Sequence, residues 1–238
     1  ISFIFPIYNE EKRIKNLHYF INWTKKKKIK NFEIILVSNG STDGTNKIIK
    51  KLKQKFSFIK YLYIENKSRG EAINLAVKKS KFRLNTICAI DNAWDLNFYT
   101  IAYKKLKKNK LSIVFGPKSH EGSKVKRPIV RKIISAICSA FLKILFGNKI
   151  DQDTQCIRMF KKDHITFSKY LSKNNLFGDV EFYLYTKMFK LRYESISVKI
   201  KDNKKMVSFG MMIKFIINAI SFRFSKQYNF AKYSAKSQ

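Results

Sequence analysis

Two uninterrupted apolar runs, SFIFPI at 2–7 and FEIILVS at 32–38, constrain the fold more than any other feature of this chain. Both have the length of a strand, and both are apolar at successive rather than alternate positions. Such a strand is covered on both faces, the condition of a parallel sheet sandwiched between helices. The segments between them agree. Residues 10–23 carry Ile14, Leu17, Phe20 and Ile21 at helical spacing, and a second helix runs through Ile48, Ile49, Leu52 and Phe56. Residues 70–81 put Ala72, Ile73, Ala76 and Val77 on one face. Further strands are expected at 58–64, 84–90 and 112–115, with a helix at 97–108. The alternation predicts an α/β domain with a mostly parallel central sheet and helices on both faces.

In such sheets ligands bind beyond the carboxyl ends of the strands. The polar stretches that follow each strand are therefore expected to converge: Tyr8-Asn9-Glu10, Asn39 to Gly44, Asn66 to Gly70, and Asp91 to Asp95. After residue 116 the texture changes. Residues 117–127 are polar and basic without periodicity and read as a loop. An apolar helix spans 129–147, a helical region 179–190 and a strand 194–200; the tail at 207–224 is apolar and aromatic. The expected division is a domain over 1–200 and a helical, membrane-associated tail over 201–238.

Composition narrows the function. Fifty Lys and Arg stand against 16 Asp and Glu, a formal charge of +34, yet 45% of residues are hydrophobic and 21 are Phe. That apolar content excludes global disorder. Of the basic residues 42 are Lys and 8 Arg, and the Lys runs fall at expected helix ends, so most of the charge reads as solvated surface. Attraction to an anionic membrane surface is the main alternative. Specific nucleic-acid readout is not expected, because bidentate base contacts favour Arg. Cys88, Cys138 and Cys156 are scattered, which fits neither a disulfide framework nor a CxxC metal site and suits a reducing compartment. No run approaches the ~18 uninterrupted apolar residues of a membrane span. The chain opens on Ile1 without Met, compatible with a trimmed piece that has lost an N-terminal anchor.

Neither GxxxxGK[ST] nor GxGxxG occurs, so phosphates are not read through a Walker or Rossmann loop. Carboxylates and amides at strand ends remain, which suits a metal-bridged nucleotide. FPIYNEEKRI at 5–14, EIILVSNGSTDGT at 33–45, NKSRGEAINLAVKKSK at 66–81 and an Asp-rich turn after the fourth strand follow one another in the order found in family 2 inverting glycosyltransferases. GSKVKRPIVRKIIS and DTQCIRMFKKD resemble the polyprenyl-phosphate branch of that family, and the resemblance covers roughly residues 1–200.

The resemblance implies a GT-A fold and a UDP- or GDP-sugar donor. It also implies a divalent metal (Mg²⁺ or Mn²⁺), a polyprenyl or dolichyl phosphate acceptor, and peripheral attachment to the cytoplasmic face of a membrane. The transferred sugar is expected to be a hexose, glucose before mannose. Pro6, Tyr8, Glu10, Asn39, Asp43 and Arg69 would hold the donor. Asp91 matches the first Asp of the family's Asp-x-Asp metal motif; the second is replaced by Ala93, and Asp95 stands two residues on as a substitute ligand. Mg²⁺ takes only one or two protein carboxylates, so Asp91 and Asp95 with a diphosphate make a sufficient set. Lys124, Arg127, Arg131 and Arg158 would dock the acceptor phosphate. Asp91, Arg131 and Gln155 are the expected catalytic groups, while Asp153, Asp179 and Glu181 match polar family positions. A lipid phosphate is already an anion at neutral pH and needs cations, whereas a sugar hydroxyl needs a carboxylate base. A saccharide acceptor, or a non-catalytic relative with a degraded metal motif, are the competing readings. The helices at 129–147 and 207–224 are expected either in the membrane interface or in the core.

Overall fold

The computed structural model describes residues 1–108, 110–126, 128–165, 177–201, 209–226 and 228–229. Strands β1 (Ser2–Ile7), β2 (Glu33–Asn39), β3 (Ile59–Ile64), β4 (Leu84–Ile87) and β5 (Ile113–Gly116) alternate with helices α1 (Asn16–Lys26), α2 (Thr45–Lys55), α3 (Arg69–Lys79) and α4 (Asn97–Lys108). Then follow β6 (Lys124–Lys126), α5 (Ile129–Phe146), β7 (Ile157–Lys161), α6 (Gly178–Met188), β8 (Tyr193–Ser195), β9 (Lys199–Lys201) and α7 (Phe209–Arg223).

Seven strands form one sheet in the order β3-β2-β1-β4-β7-β5-β8. All pairings are parallel except those of β7, which runs antiparallel between β4 and β5. The expected mostly parallel sheet is present. Its antiparallel member comes from IRMFK, a segment to which the sequence assigned no element. Two other expectations are corrected. Residues 124–126 of the supposed loop form β6, and the single strand expected at 194–200 is two: β8 extends the main sheet, whereas β9 pairs with β6 in a separate ribbon. The first helix begins at Asn16 rather than residue 10.

The unbroken apolar runs fill two cores. Phe3, Phe5, Ile7, Ile34 and Leu36 face the layer of α1, α2 and α4. Ile4, Ile35 and Val37 face the layer of α3, α5, α6 and α7. Successive strand residues point to opposite faces, so each layer takes alternate residues and both must be apolar. The tail packs into this second core: Phe215, Ala219 and Phe222 of α7, with Tyr228 beyond it, join Leu142 and Phe146 of α5. Lysines close the last turns of α1, α2, α3 and α4, where the helix dipole favours cations.

Candidate active site

The tips of β3, β2, β1 and β4 lie side by side, and the turns that follow them are laced together by short polar bonds. Asn9 adopts a left-handed backbone (φ 50°), a conformation in which Asn is enriched. Its Oδ1 accepts from the Thr42 amide at 2.8 Å, and its own amide donates to Ser41 Oγ at 3.1 Å. The Glu10 amide donates to Thr45 Oγ1 at 2.9 Å, and the Gly44 amide donates to Glu11 Oε2 at 3.0 Å. Gly40 (φ +71°) allows the next turn to close in: a Cβ there would lie 2.8 Å from the Glu65 carbonyl oxygen and 2.9 Å from the Lys67 nitrogen. Asn9, Thr42 and Lys67 belong to the polar stretches expected to converge, though none was singled out as a site residue; Glu11 and Thr45 lie just beyond those stretches and were missed. Their signal was position alone, since all belong to the turns that follow parallel strands.

Within this frame the expected donor residues take distinct places. Pro6 sits in β1 beyond Ile4, the last residue of β1 paired with β4, so its lost N–H breaks no bond there. Tyr8 is half-buried, with Lys67 Nζ 3.9 Å from its ring centroid, a cation–π contact. Asn39 is buried at the last position of β2. Glu10 forms a two-pronged ion pair with Arg13 at 2.6 and 2.8 Å. Asp43 shapes its loop, accepting from the Glu11 amide at 3.2 Å and the Thr45 amide at 3.1 Å. Desolvation pushes its carboxyl upward, but bonds from Thr45 and Glu11 outweigh this and hold it below the usual range.

Asp91 lies just past β4, where its Oδ1 accepts from the Ala93 amide at 3.3 Å. Asp95 is bonded at the start of α4. Its Oδ1 accepts from the Asn97 amide at 2.9 Å, at the start of α4, and its own amide donates to the Lys199 carbonyl at 2.9 Å. It lines a small cavity of 370 Å³ together with Lys124, which β6 carries away from the larger cavity described next. Lys124 and Arg131 are therefore not brought to one pocket. Arg127 lies outside the described residues.

The larger cavity, 680 Å³, opens between the loop after β5, the segment before β7, and helices α5 and α7. Arg131, Lys132, Lys118 and Gln155 line it alongside Leu142, Ile150, Met211, Met212 and Phe215. The expected residues Arg131 and Gln155 thus meet, although 24 positions separate them in the sequence. Lys118 was missed; its signal is that it follows β5 as the other polar turns follow their strands. It pairs with Asp153 Oδ2 at 2.8 Å and donates to the Gln155 carbonyl at 2.6 Å. Asp153 also caps its own turn, accepting from the Gln155 amide at 3.1 Å. These bonds hold the loop, and Asp153 also lines the cavity. Asp151, bonded to Tyr183 and Lys187, and Gln152, bonded to Ser195 at 2.6 Å, pin the same segment.

Arg158 does not line that cavity. It is 4% exposed, inside β7, where its Nη2 meets Asp179 Oδ1 at 2.8 Å. Arg69 Nη1 reaches both oxygens of the same carboxylate at 3.2 Å. A donor-phosphate candidate and an acceptor-phosphate candidate therefore share one anion. The thiols are unsuited to chemistry: burial pushes Cys88 up to about 12 and Cys156 higher still.

Solved structures with this architecture define the class. Glucosyl-3-phosphoglycerate synthase from Mycobacterium tuberculosis, crystallised with Mn²⁺ and UDP, matches with a TM-score of 0.63 at 13% identity over 93% of this chain and 78% of that one. The 1–349 portion of TarS from S. aureus, in complex with UDP, matches with a TM-score of 0.56 at 16% identity over 99% of this chain and 70% of that one. Both are glycosyltransferases of the GT-A fold, and this chain has that fold. Its sequence matches the family described as Glycosyl transferase family 2 over residues 2–167, so the chain belongs to glycosyltransferase family 2. Among curated proteins it is 30% identical to a dolichyl-phosphate beta-glucosyltransferase of Trichomonas vaginalis over 68% of this chain and 54% of that protein. The enzyme of the same name from Dictyostelium discoideum is also 30% identical, with the same coverage of 68% and 54%. The human one is 26% identical over 83% of this chain and 66% of that protein. The chain thus spans about half the length of the first two relatives.

Proposed function

We propose that this protein transfers a hexose, glucose by preference, from a nucleoside-diphosphate sugar to a polyprenyl or dolichyl phosphate at a membrane surface, with inversion at the anomeric carbon. UDP is the preferred carrier, by likeness to the neighbours crystallised with it. One observation carries the reading: a cavity whose Lys118 Nζ lies 5.5 Å from the ring centroid of Trp94, in the turn after β4, combines cations at Lys118, Arg131 and Lys132 with apolar lining from Leu142, Ile150, Met211, Met212 and Phe215. A saccharide needs no such apolar chamber. A lipid phosphate needs both parts.

The chemistry follows from the acceptor. A phosphate monoester oxygen attacks the anomeric carbon, the bond from that carbon to the diphosphate breaks, and the nucleoside diphosphate departs with the electron pair. The attacking oxygen carries no proton near neutral pH, so no general base is required. Arg131, Lys132 and Lys118 hold the acceptor anion, through charge-assisted bonds that Arg forms in pairs. Tyr8 and Asn39 receive the base, and Arg69 faces the diphosphate.

A divalent ion, when bound, supplies positive charge to the leaving diphosphate. Among the described residues no group of three or more His, Cys, Asp or Glu could hold one, and Asp95 caps α4. The donor set fits an ion brought in with the diphosphate, which Asp91 would help to hold, since Mg²⁺ needs only one or two protein carboxylates.

The membrane surface is the exposed apolar side of α5 and α7. Of thirteen exposed large apolar residues among those described, five lie on α5 and five on α7 or directly after it. Ile129, Ile133 and Ile137 recur every four residues, and Ile213, Ile217, Ile220 and Phe224 at steps of four, three and four. Each series is one helical stripe, while the other side of each helix is in the core. No described helix is long and apolar enough to cross a membrane. Apolar stripes flanked by basic residues are the pattern of helices that lie in the interface plane, and the three unpaired thiols favour its cytoplasmic face.

The test is purified protein with UDP- and GDP-sugars, Mg²⁺ or Mn²⁺, and either vesicle-borne polyprenyl phosphate or a soluble saccharide. Transfer to the lipid alone is expected. Transfer to the saccharide, or none from any donor, would overturn the reading.

A further inference from the structure

The Arg69–Asp179–Arg158 cluster joins three distant parts of the chain. Arg69 opens α3, Arg158 sits in β7, and Asp179 is in the first turn of α6. Both oxygens of the carboxylate accept from an arginine, Oδ1 from both. Exposure is graded across the cluster: Arg158 is 4% exposed, Asp179 19% and Arg69 38%. The guanidinium of Arg158 lies 4.4 Å from the Phe182 ring centroid, and its buried Nε has no hydrogen-bond partner among the described residues. Its carbonyl accepts from Thr86 Oγ1 at 2.8 Å, which ties this part of β7 to β4, the strand leading to Asp91.

Two guanidinium groups within bonding distance of one another's partner repel, and a buried one without a counter-ion is strongly unfavourable. One carboxylate between them makes the arrangement stable and leaves a net single positive charge. A rim carboxylate in an enzyme of this class could instead serve as a proton acceptor. This one is badly placed for that. Burial alone would raise its carboxyl, but the charges of Arg69 and Arg158 outweigh burial and hold it far below the usual carboxylate range. A useful base titrates near the working pH.

Resting on the lipid-phosphate reading above, we infer that Asp179 is a positioning residue: it holds Arg69 and Arg158 side by side as one anion site for the donor's diphosphate, and takes no proton from the acceptor. This moves Arg158 from the acceptor's side to the donor's. It also explains why the exposed member of the pair is the one that opens α3, at the strand tips that receive the nucleotide.

The probe is UDP with Mg²⁺, titrated calorimetrically into the full chain, so that the readout needs no turnover. Asp179→Asn, nearly isosteric, is expected to weaken UDP about tenfold, and Asp179→Glu, which keeps the charge, by threefold at most. In an Arg158→Met background, Asp179→Asn should add no more than a further twofold, because a residue that acts through Arg158 has little left to position. Thermal unfolding of each variant checks that it is folded; if the Asn variant is not, Arg158→Met carries the test, expected to weaken UDP about tenfold, and binding within twofold of wild type would overturn the inference. UDP binding by Asp179→Asn within twofold of wild type, or losses that multiply with Arg158→Met, would overturn the inference while leaving the parent reading intact. Wild-type protein that binds neither UDP nor GDP would remove both.

Discussion

The two halves of this site, proposed to take the donor and the acceptor, are built in opposite ways. The donor half stands on the tips of four adjacent strands, of which β1 and β2 are buried on both faces and β3 is a half-buried edge, and its turns are locked by side-chain to backbone bonds such as those of Asn9, Thr45 and Glu11. The acceptor half stands on two helices that bury one face and expose the other. Leu142 and Phe222 are buried, while Ile144 is 84% exposed and Phe224 72%. The difference matches the proposed substrates. A nucleotide is rigid and polar and rewards a preorganised rim, whereas a polyprenyl chain enters from lipid and needs an apolar flank that the membrane itself covers.

The largest effect should come from the buried side of the acceptor half. Phe222→Ala is expected to cost ~3–5 kcal/mol, as for other buried Phe truncations. Denaturant unfolding measures it, and a loss near zero would mean that α7 is an appendage and not part of the core. Next is Asp91→Ala, expected to slow transfer ~10²–10³-fold, the scale of losing one group that stabilises developing charge. Steady-state rates that survive the change would detach β4 from the donor half. Arg131→Met should raise the KM for lipid phosphate ~10–100-fold, the equivalent of a charged hydrogen bond. UDP affinity should stay unchanged, and a matched loss there would erase the boundary between the halves.

A smaller effect is expected from Ile133→Glu with Ile137→Glu. Vesicle binding in flotation assays should fall ~10-fold or more, at ~1.5–3 kcal/mol for each apolar side chain kept from lipid. Folding stability should move by only ~0.5 kcal/mol per site. An unchanged vesicle fraction would strip the exposed stripe of its proposed role. The smallest effect concerns pH. The Asp179 carboxyl is depressed in the folded state, so its contribution is fully present above the unfolded value of ~3.9 and is lost only as pH falls below that. Unfolding curves should therefore show no part from Asp179 between pH 6 and 8, and Asp179→Asn should flatten the acid limb below pH 4.

Much of the donor half was legible beforehand. Tyr8, Asn39 and Asp91 follow recognisable apolar strands, and parallel topology sends the ends of such strands to one edge. Arg69 was legible for the same reason. The rest depended on pairings over long sequence distances. Nothing local in IRMFK announces an antiparallel strand, because a buried strand reads alike in either direction. Lys124 looked adjacent to Arg131, but pairing of β6 with β9 takes it to another cavity beside Asp95. Asp179 carried no signal of its partners, which lie 110 and 21 residues away.

By itself the sequence determined the layered α/β architecture, the polar edge of the sheet and the two long apolar helices, since periodicity, run length and turn chemistry are local properties of the chain. Tertiary structure alone decided which cations share a pocket, which carboxylate clamps two arginines and which face of each helix stays bare. Those outcomes depend on strand order and on distances between groups remote in the chain, and no local pattern encodes either.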